Sequence, residues 1–262
     1  SFATDQNRGR VMGLYTSLLA VTFGVGPLIL PWTGLMGFLP WGIGIACILL
    51  SILPLAFVKV DNASFRQHEG GGGFFGFVKR APMLLFAVAA ATLFDNVLIS
   101  FFTIYGMHHG LELGVASRVL GFGIIGNVVM FYPMGWLSDH WSRKGVMFVS
   151  AALTVVLSLS LLVVITHWLV WPVMMLLTAC AFGVYVVGLA TLGDSFRGPD
   201  LIAGSAAIAA MWGVGGLLGP PIAGLAIDVF GMQAMPVTLA AFYVVLLADL
   251  GLSRGELVRG NG

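Results

Sequence analysis

Two short stretches carry nearly all the side chains here that could do chemistry inside the body of the chain. In "MLLFAVAAATLFDNVLISFF", residues 83–102, Asp95 and Asn96 break an otherwise apolar run. In "GWLSDHWSRKGVM", residues 135–147, Asp139, His140, Arg143 and Lys144 crowd into six positions between two apolar runs. An isolated carboxylate withdrawn from water binds a proton more readily, so Asp95 is a candidate for proton uptake and release. A mixed cluster such as 139–144 suits ion pairing and helix-end electrostatics instead. Which chemistry is open to each depends on the elements that carry them.

Composition sets those elements. The 262 residues are 59% hydrophobic and 9% charged, with a mean hydropathy of +1.01. A soluble domain carries about 25% charged residues, so the chain reads as an all-α polytopic membrane protein. The net charge of +1 and the lack of a basic patch interleaved with aromatics give no reason to expect a nucleic acid partner. Cys47 and Cys180 each lie within an apolar run and read as buried thiols. No signal-peptide pattern precedes the first run, and the chain begins at Ser1.

A bilayer core takes about 20 apolar residues per helix. Runs of that length fall at 11–31, 38–58, 82–105, 115–137, 145–166, 169–192, 202–227 and 233–252. Alternation of sides can be tested with Lys and Arg, which concentrate in cytoplasmic loops. Arg8, Arg10, Lys59, Arg66, Lys79, Arg80, Arg143, Lys144, Arg197, Arg254 and Arg259 fall on one side, and Arg118 alone on the other. Both termini and the 59–81 loop are therefore expected in the cytoplasm. Soluble core helices would show amphipathic stripes and mixed loop charges, and a β-barrel would show strands of about ten alternating residues. Within 59–81, "HEGGGGFFGFVKR" reads as a flexible connector, since a phosphate-binding loop needs a preceding strand and a following Lys-Ser or Lys-Thr. It separates residues 1–58, with two spans, from 82–262, with six.

The first run, "GLYTSLLAVTFGVGPLILP", and the seventh, "GSAAIAAMWGVGGLLGPPIAG", share small residues followed by a Gly-Pro break. The shared elements are Gly24, Gly26 and Pro27 in one, and Gly215, Gly219 and Pro220 in the other. Glycines allow helix backbones to approach in lipid, and proline bends them. From Gly26 to Gly219 the offset is 193 residues, close to the length of a six-helix half of a transporter. On that reading run one is the fifth helix of a first half, and four helices of the same protein are expected before it.

Counted in this way, "GWLSDHWSRKGVM" joins the second and third helices of the second half. There it resembles the signature loop of the major facilitator superfamily, G-x-L-A/S-D-x-x-G-R-K/R. Gly135, Leu137, Asp139, Arg143 and Lys144 match, and Ser142 stands where a second glycine is usual. The Gly-Pro helices resemble the same family's fifth-helix motif, and the resemblance spans residues 8–253. "RGRVMGLY" and Gly193-Asp194 look most like bacterial efflux-type members. The resemblance implies a secondary active transporter in the bacterial inner membrane, working by alternating access. It further implies proton-coupled export of a small organic or drug-like solute, with lipid as solvent and a proton as coupling ion. A non-transporting sensor or scaffold of the same fold, or a sugar or metabolite uptake carrier, is the alternative.

The family's loop can latch the cytoplasmic side closed, and Asp139 is expected beside Arg8, Gly9 and Arg10, or paired with Arg143 within the turn. A purely topogenic role explains Arg143 and Lys144 but not Asp139. Asp95 lies thirteen residues after Pro82, about 20 Å along a helix rising about 1.5 Å per residue, which is near mid-bilayer. Such a residue is a functional candidate by default. Asn127 reaches the same depth on the next helix, so an Asp95–Asn bond that only fixes packing is the competing reading. The family's central cavity is lined by the helix carrying Asp95, and Thr178 and Tyr185 are further cavity candidates. Trp212 reads as packing, and Asp194, Asp200 and Asp228 as helix caps. Asp249, near the end of the last helix, could reach the surface or pair with Arg254. No cofactor or metal is expected: His108 and His109 read as solvated rim residues, and zinc would need more ligands.

Overall fold

The computed structural model describes residues 25, 28, 29, 32, 33, 37–57, 73–196 and 198–252. Regular structure among them is wholly α-helical. The helices are α1 (Leu39–Phe57), α2 (Gly73–Arg80), α3 (Pro82–His108), α4 (Leu113–His140), α5 (Arg143–Val164), α6 (Val170–Ser195), α7 (Gly198–Phe230) and α8 (Ala234–Leu252). Seven of them match the apolar runs from 38–58 onward to within four residues at each end. The overhang is polar: α4 runs on through Asp139 and His140, and α6 through Asp194. Intrahelical bonding continues past the apolar stretch, because water or headgroups solvate the extra turn. The first run, with Gly24, Gly26 and Pro27, lies outside the described residues apart from a few helical positions.

The stretch 59–81 is not connector throughout. Residues 73–80 form α2, with Phe77 fully buried and Phe75 79% exposed, so this short helix has two unlike faces. Phe77 packs on Phe196, ring centroids 4.8 Å apart, and Arg80 bridges to Asp200 of α7 at 2.8 Å. Apolar anchoring onto α7 supplies what eight residues of helix propensity cannot. Pro82 then opens α3, at a position where a missing N–H costs nothing.

α3 is the hub, packed against α2, α4, α6, α7 and α8, while α5 and α6 pack together and α5 also meets α8. Among the described residues α1 packs against none of the others. Lipid tails are as apolar as leucine, so association in a bilayer depends on close packing and interhelical hydrogen bonds. Both are present. The Thr92 hydroxyl of α3 donates to Met211 O of α7 at 2.9 Å, and that of Thr178 on α6 reaches Gly123 O of α4 at 2.7 Å. Tyr243 of α8 donates to Ala181 O of α6 at 2.8 Å, and Tyr105 of α3 to Leu161 O of α5 at 3.2 Å. Approach to a neighbouring backbone is sharpest at Gly215, where an added Cβ would lie 2.7 Å from the Thr92 backbone. α3, α5, α6, α7 and α8 are each long and apolar enough to cross a membrane.

Candidate functional site

α3 places its polar residues by helical phase. Asp95 lies thirteen residues after Pro82 and thirteen before His108, at the centre of the helix. Leu84 and Val88 of α3 face Gly188 of α6, and Asp95 is two turns beyond Val88 on the same side. It is partly buried there and lies within electrostatic range of the Tyr243 hydroxyl, as does Cys180 of α6. Phe94 meets the Tyr243 ring edge-on at 5.5 Å. Asp95 is thus turned towards α6 and α8.

Asn96, its neighbour in sequence, is turned elsewhere. Its amide nitrogen donates to Thr92 O at 2.8 Å, and its Oδ1 lies 3.4 Å from where a Cβ on Gly216 of α7 would be. Asn127 sits at the middle of α4, 4% exposed, with no partner for Oδ1 among the described residues. No hydrogen bond among the described residues joins Asp95 to Asn96 or Asn127, so the three are not a polar pair or triad. The hydroxyl of Thr178 is buried and lies within hydrogen-bonding distance of both Gly123 O of α4 and Met174 O of its own helix. Tyr185 belongs to an aromatic group: its ring lies 5.0 Å from that of Phe182 and 5.7 Å from that of Trp212 on α7.

At the basic end, only Trp141 and Ser142 separate α4 from α5. Ser142 occupies the place of the usual second glycine and caps α5, its Oγ accepting from Gly145 N–H at 2.8 Å. The hydroxyl thereby satisfies a helix-end donor that a glycine would leave to water. Gly135 and Leu137 fall in the last turns of α4, and Lys144 helps line a groove of ≈ 410 Å³ with Trp141, Phe148 and Leu250. Arg143 forms an ion pair with Asp194 at the end of α6. Asp139 lies in the last turn of α4, but its expected neighbours Arg8, Gly9 and Arg10 are outside the described residues.

Asp194 and Asp200, read from the sequence as caps, are salt-bridge partners that join separate elements. Tyr243 and Thr92 drew no attention in the sequence, yet both bond across helices. The available signal was their polarity within apolar runs. His109 is held at the opposite rim, between Tyr105 O at 2.8 Å and the Gln233 amide at 2.9 Å. No group of three metal-ligating side chains occurs among the described residues.

A bundle of long apolar helices, bonded across by hydroxyls and with its ion pairs at one end, defines an integral membrane protein. The family model of the Major Facilitator Superfamily matches residues 1–193 and 119–254. The chain belongs to that superfamily. It is 27% identical over 270 residues to an uncharacterized MFS-type transporter of Enterobacter sp. (strain 638), covering 97% of this chain and 66% of that protein. The uncharacterized MFS-type transporter YcaD of Shigella flexneri serotype 5b is 26% identical over 269 residues, with the same coverage. That of Escherichia coli O139:H28 is likewise 26% identical over 269 residues. The chain therefore spans 66% of the length of these relatives.

Proposed function

We propose that the protein is a proton-coupled secondary transporter of a small organic solute, working by alternating access as an exporter in the bacterial inner membrane. Family membership supports the transporter class. The observation that carries the coupling is Asp95, a carboxylate at the centre of α3, partly buried and next in sequence to Phe94, whose ring meets that of Tyr243 on α8. A charge at that depth costs about 2.5–3.5 kcal/mol or more. A proton cancels that cost when the site is closed to water, and is released when it opens. Six helices from residue 82 on form the second half, residues 1–58 belong to the first, and the Arg-rich ends lie in the cytoplasm. There the loop with Asp139, Arg143 and Lys144 holds one state closed, and the Arg143–Asp194 pair supports that role.

The test is Asp95→Asn in proteoliposomes with an imposed pH gradient. Gradient-driven transport should be lost, while solute–solute exchange and binding remain. Unchanged pH-driven flux in Asp95→Asn removes this residue from the mechanism and leaves it a packing role.

A further inference from the structure

We infer that α2 is a membrane-surface anchor whose outward face, Phe75 and Lys79, binds the headgroup layer of an anionic phospholipid. This does not depend on the transport reading, since it concerns only how one helix meets the bilayer. It begins with the level at which α2 is held. Phe77 packs on Phe196, just past the end of α6, and a Cβ on Gly204 of α7 would lie 2.8 Å from the Phe77 ring. Arg80 bridges to Asp200, where the membrane-crossing stretch of α7 begins, and Pro82 opens that of α3. Both attachments therefore lie within about a turn of the points where those spans start, which is the level of the lipid headgroups.

Helical phase then decides what faces away from the protein. Successive residues turn by about 100°, so Phe75 and Lys79, one turn apart, share the direction opposite Phe77. Burial agrees: Phe77 is fully buried, while Phe75 is 79% exposed and Lys79 is exposed as well. Phe74 flanks them, also exposed, its ring edge-on to that of Phe75 at 5.4 Å. The outward face is an aromatic ridge with one cation beside it. Lys79 has no ion pair among the described residues, whereas Arg80 and Arg143 are each held by an aspartate.

Such a face fits a surface that is apolar on one side and negatively charged on the other. Water alone leaves the Phe75 ring exposed, and a purely apolar surface strands the Lys79 ammonium without a partner. At the edge of an anionic bilayer the ring enters the acyl boundary, and the lysine stem lies along it with the ammonium at the phosphates. A headgroup thus supplies Lys79 with the negative charge that Asp200 gives to Arg80. Eight residues are too few to form a stable helix in water by themselves. Here Phe77 and Arg80 already order the helix, so the outward face binds without meeting that cost.

The test attaches a nitroxide at Phe75→Cys in the full chain, in nanodiscs of phosphatidylcholine alone or mixed with phosphatidylglycerol. Cys47→Ser removes the exposed native thiol, and Cys180 is buried. The nitroxide side chain is apolar and stands in for the ring. Power-saturation EPR with oxygen and a nickel chelate as relaxants reads whether the label sits in lipid or in water. In the mixed discs the label should meet oxygen more than nickel, and in phosphatidylcholine alone the balance should move towards nickel. Lys79→Gln in the mixed discs should lower the lipid-inserted population about fivefold relative to the water-exposed one, the worth of one cation at an anionic surface, and Lys79→Arg should keep it. A label that meets nickel freely in both lipids would overturn the anchor. So would one sheltered from both relaxants, because Phe75 would then be covered by protein. Oxygen contact that is the same without phosphatidylglycerol, or that Lys79→Gln leaves unmoved, rules out the anionic headgroup as the partner.

Discussion

The close approach of α3 and α7 can be tested by making one chemical change at three glycines of the same helix. A Cβ at Gly215 would lie 2.7 Å from the backbone and hydroxyl of Thr92, at Gly219 3.1 Å from Leu93 O, and at Gly213 near nothing within 4 Å. Ordinary contact begins near 3.4 Å, so Gly215→Ala must move the helices apart by about 0.7 Å. Overpacking of that kind costs about 1–3 kcal/mol. The separation also strains the Thr92–Met211 hydrogen bond, worth about 0.6 kcal/mol on average in membrane proteins. Alanine is the better helix former, but that gain of up to about 1 kcal/mol is common to all three sites and cancels in the comparison. Gly215→Ala should thus be about 2–3 kcal/mol less stable than Gly213→Ala, with Gly219→Ala between them. Thermal unfolding in detergent, followed by tryptophan fluorescence, should separate the outer two by roughly 5–10 °C. The order matters more than the size. Gly215→Ala melting with or above Gly213→Ala would mean that α3 and α7 do not meet at Thr92.

Three further changes probe other contacts. Ser142→Ala removes the cap on Gly145 N–H and should cost about 1 kcal/mol in the same melt, with Ser142→Asp restoring it. A double-mutant cycle over Arg143→Gln and Asp194→Asn should give a coupling of about 0.2–1 kcal/mol that shrinks with salt, since the Asp194 side chain is 66% exposed; zero coupling at low salt would show the pair contributes nothing. Tyr243→Phe deletes the bond to Ala181 O and should destabilise by about 0.6–1.7 kcal/mol. If it also leaves the pH dependence of transport untouched, Tyr243 is structural and does not act on Asp95.

What the sequence could disclose was set by the range of each signal. A span is a local length signal, so the seven long helices between Leu39 and Leu252 could be placed to within about a turn before any contact was known. Partnerships between helices are not local. Arg143 and Asp194 are 51 residues apart, and Thr92 and Met211 are 119 apart, with nothing in either segment naming the other. Two local signals were open to reading all the same. Ser142 ahead of a helix start is an N-cap pattern, and Phe74, Phe75, Phe77 and Val78 before a basic pair give α2 its unlike faces. Both were obscured by stronger neighbours: a loop motif that calls for glycine, and four glycines that suggest a connector.

The dipeptide Asp95-Asn96 shows why phase matters more than adjacency. Consecutive residues on a helix point about 100° apart. One of the pair therefore turns towards Tyr243 and α6, and the other towards Gly216 of α7. With Asp95 as the proposed proton site, the proton is held on a different side of α3 from the one that meets α7. Coupling must then pass through α3 itself. In the proposed mechanism a change of charge at Asp95 would alter how α3 sits against α6 and α8, and the same helix carries Thr92 and Asn96 against α7. The close fit at Gly215 makes that link stiff, because a backbone 2.7 Å from where a Cβ would lie has little room to slip. Forcing α3 and α7 apart with Gly215→Ala, which strains the Thr92–Met211 bond, should therefore lower the number of protons exchanged per solute more than it lowers solute binding. A variant that binds normally and keeps full stoichiometry would show that coupling runs by another route.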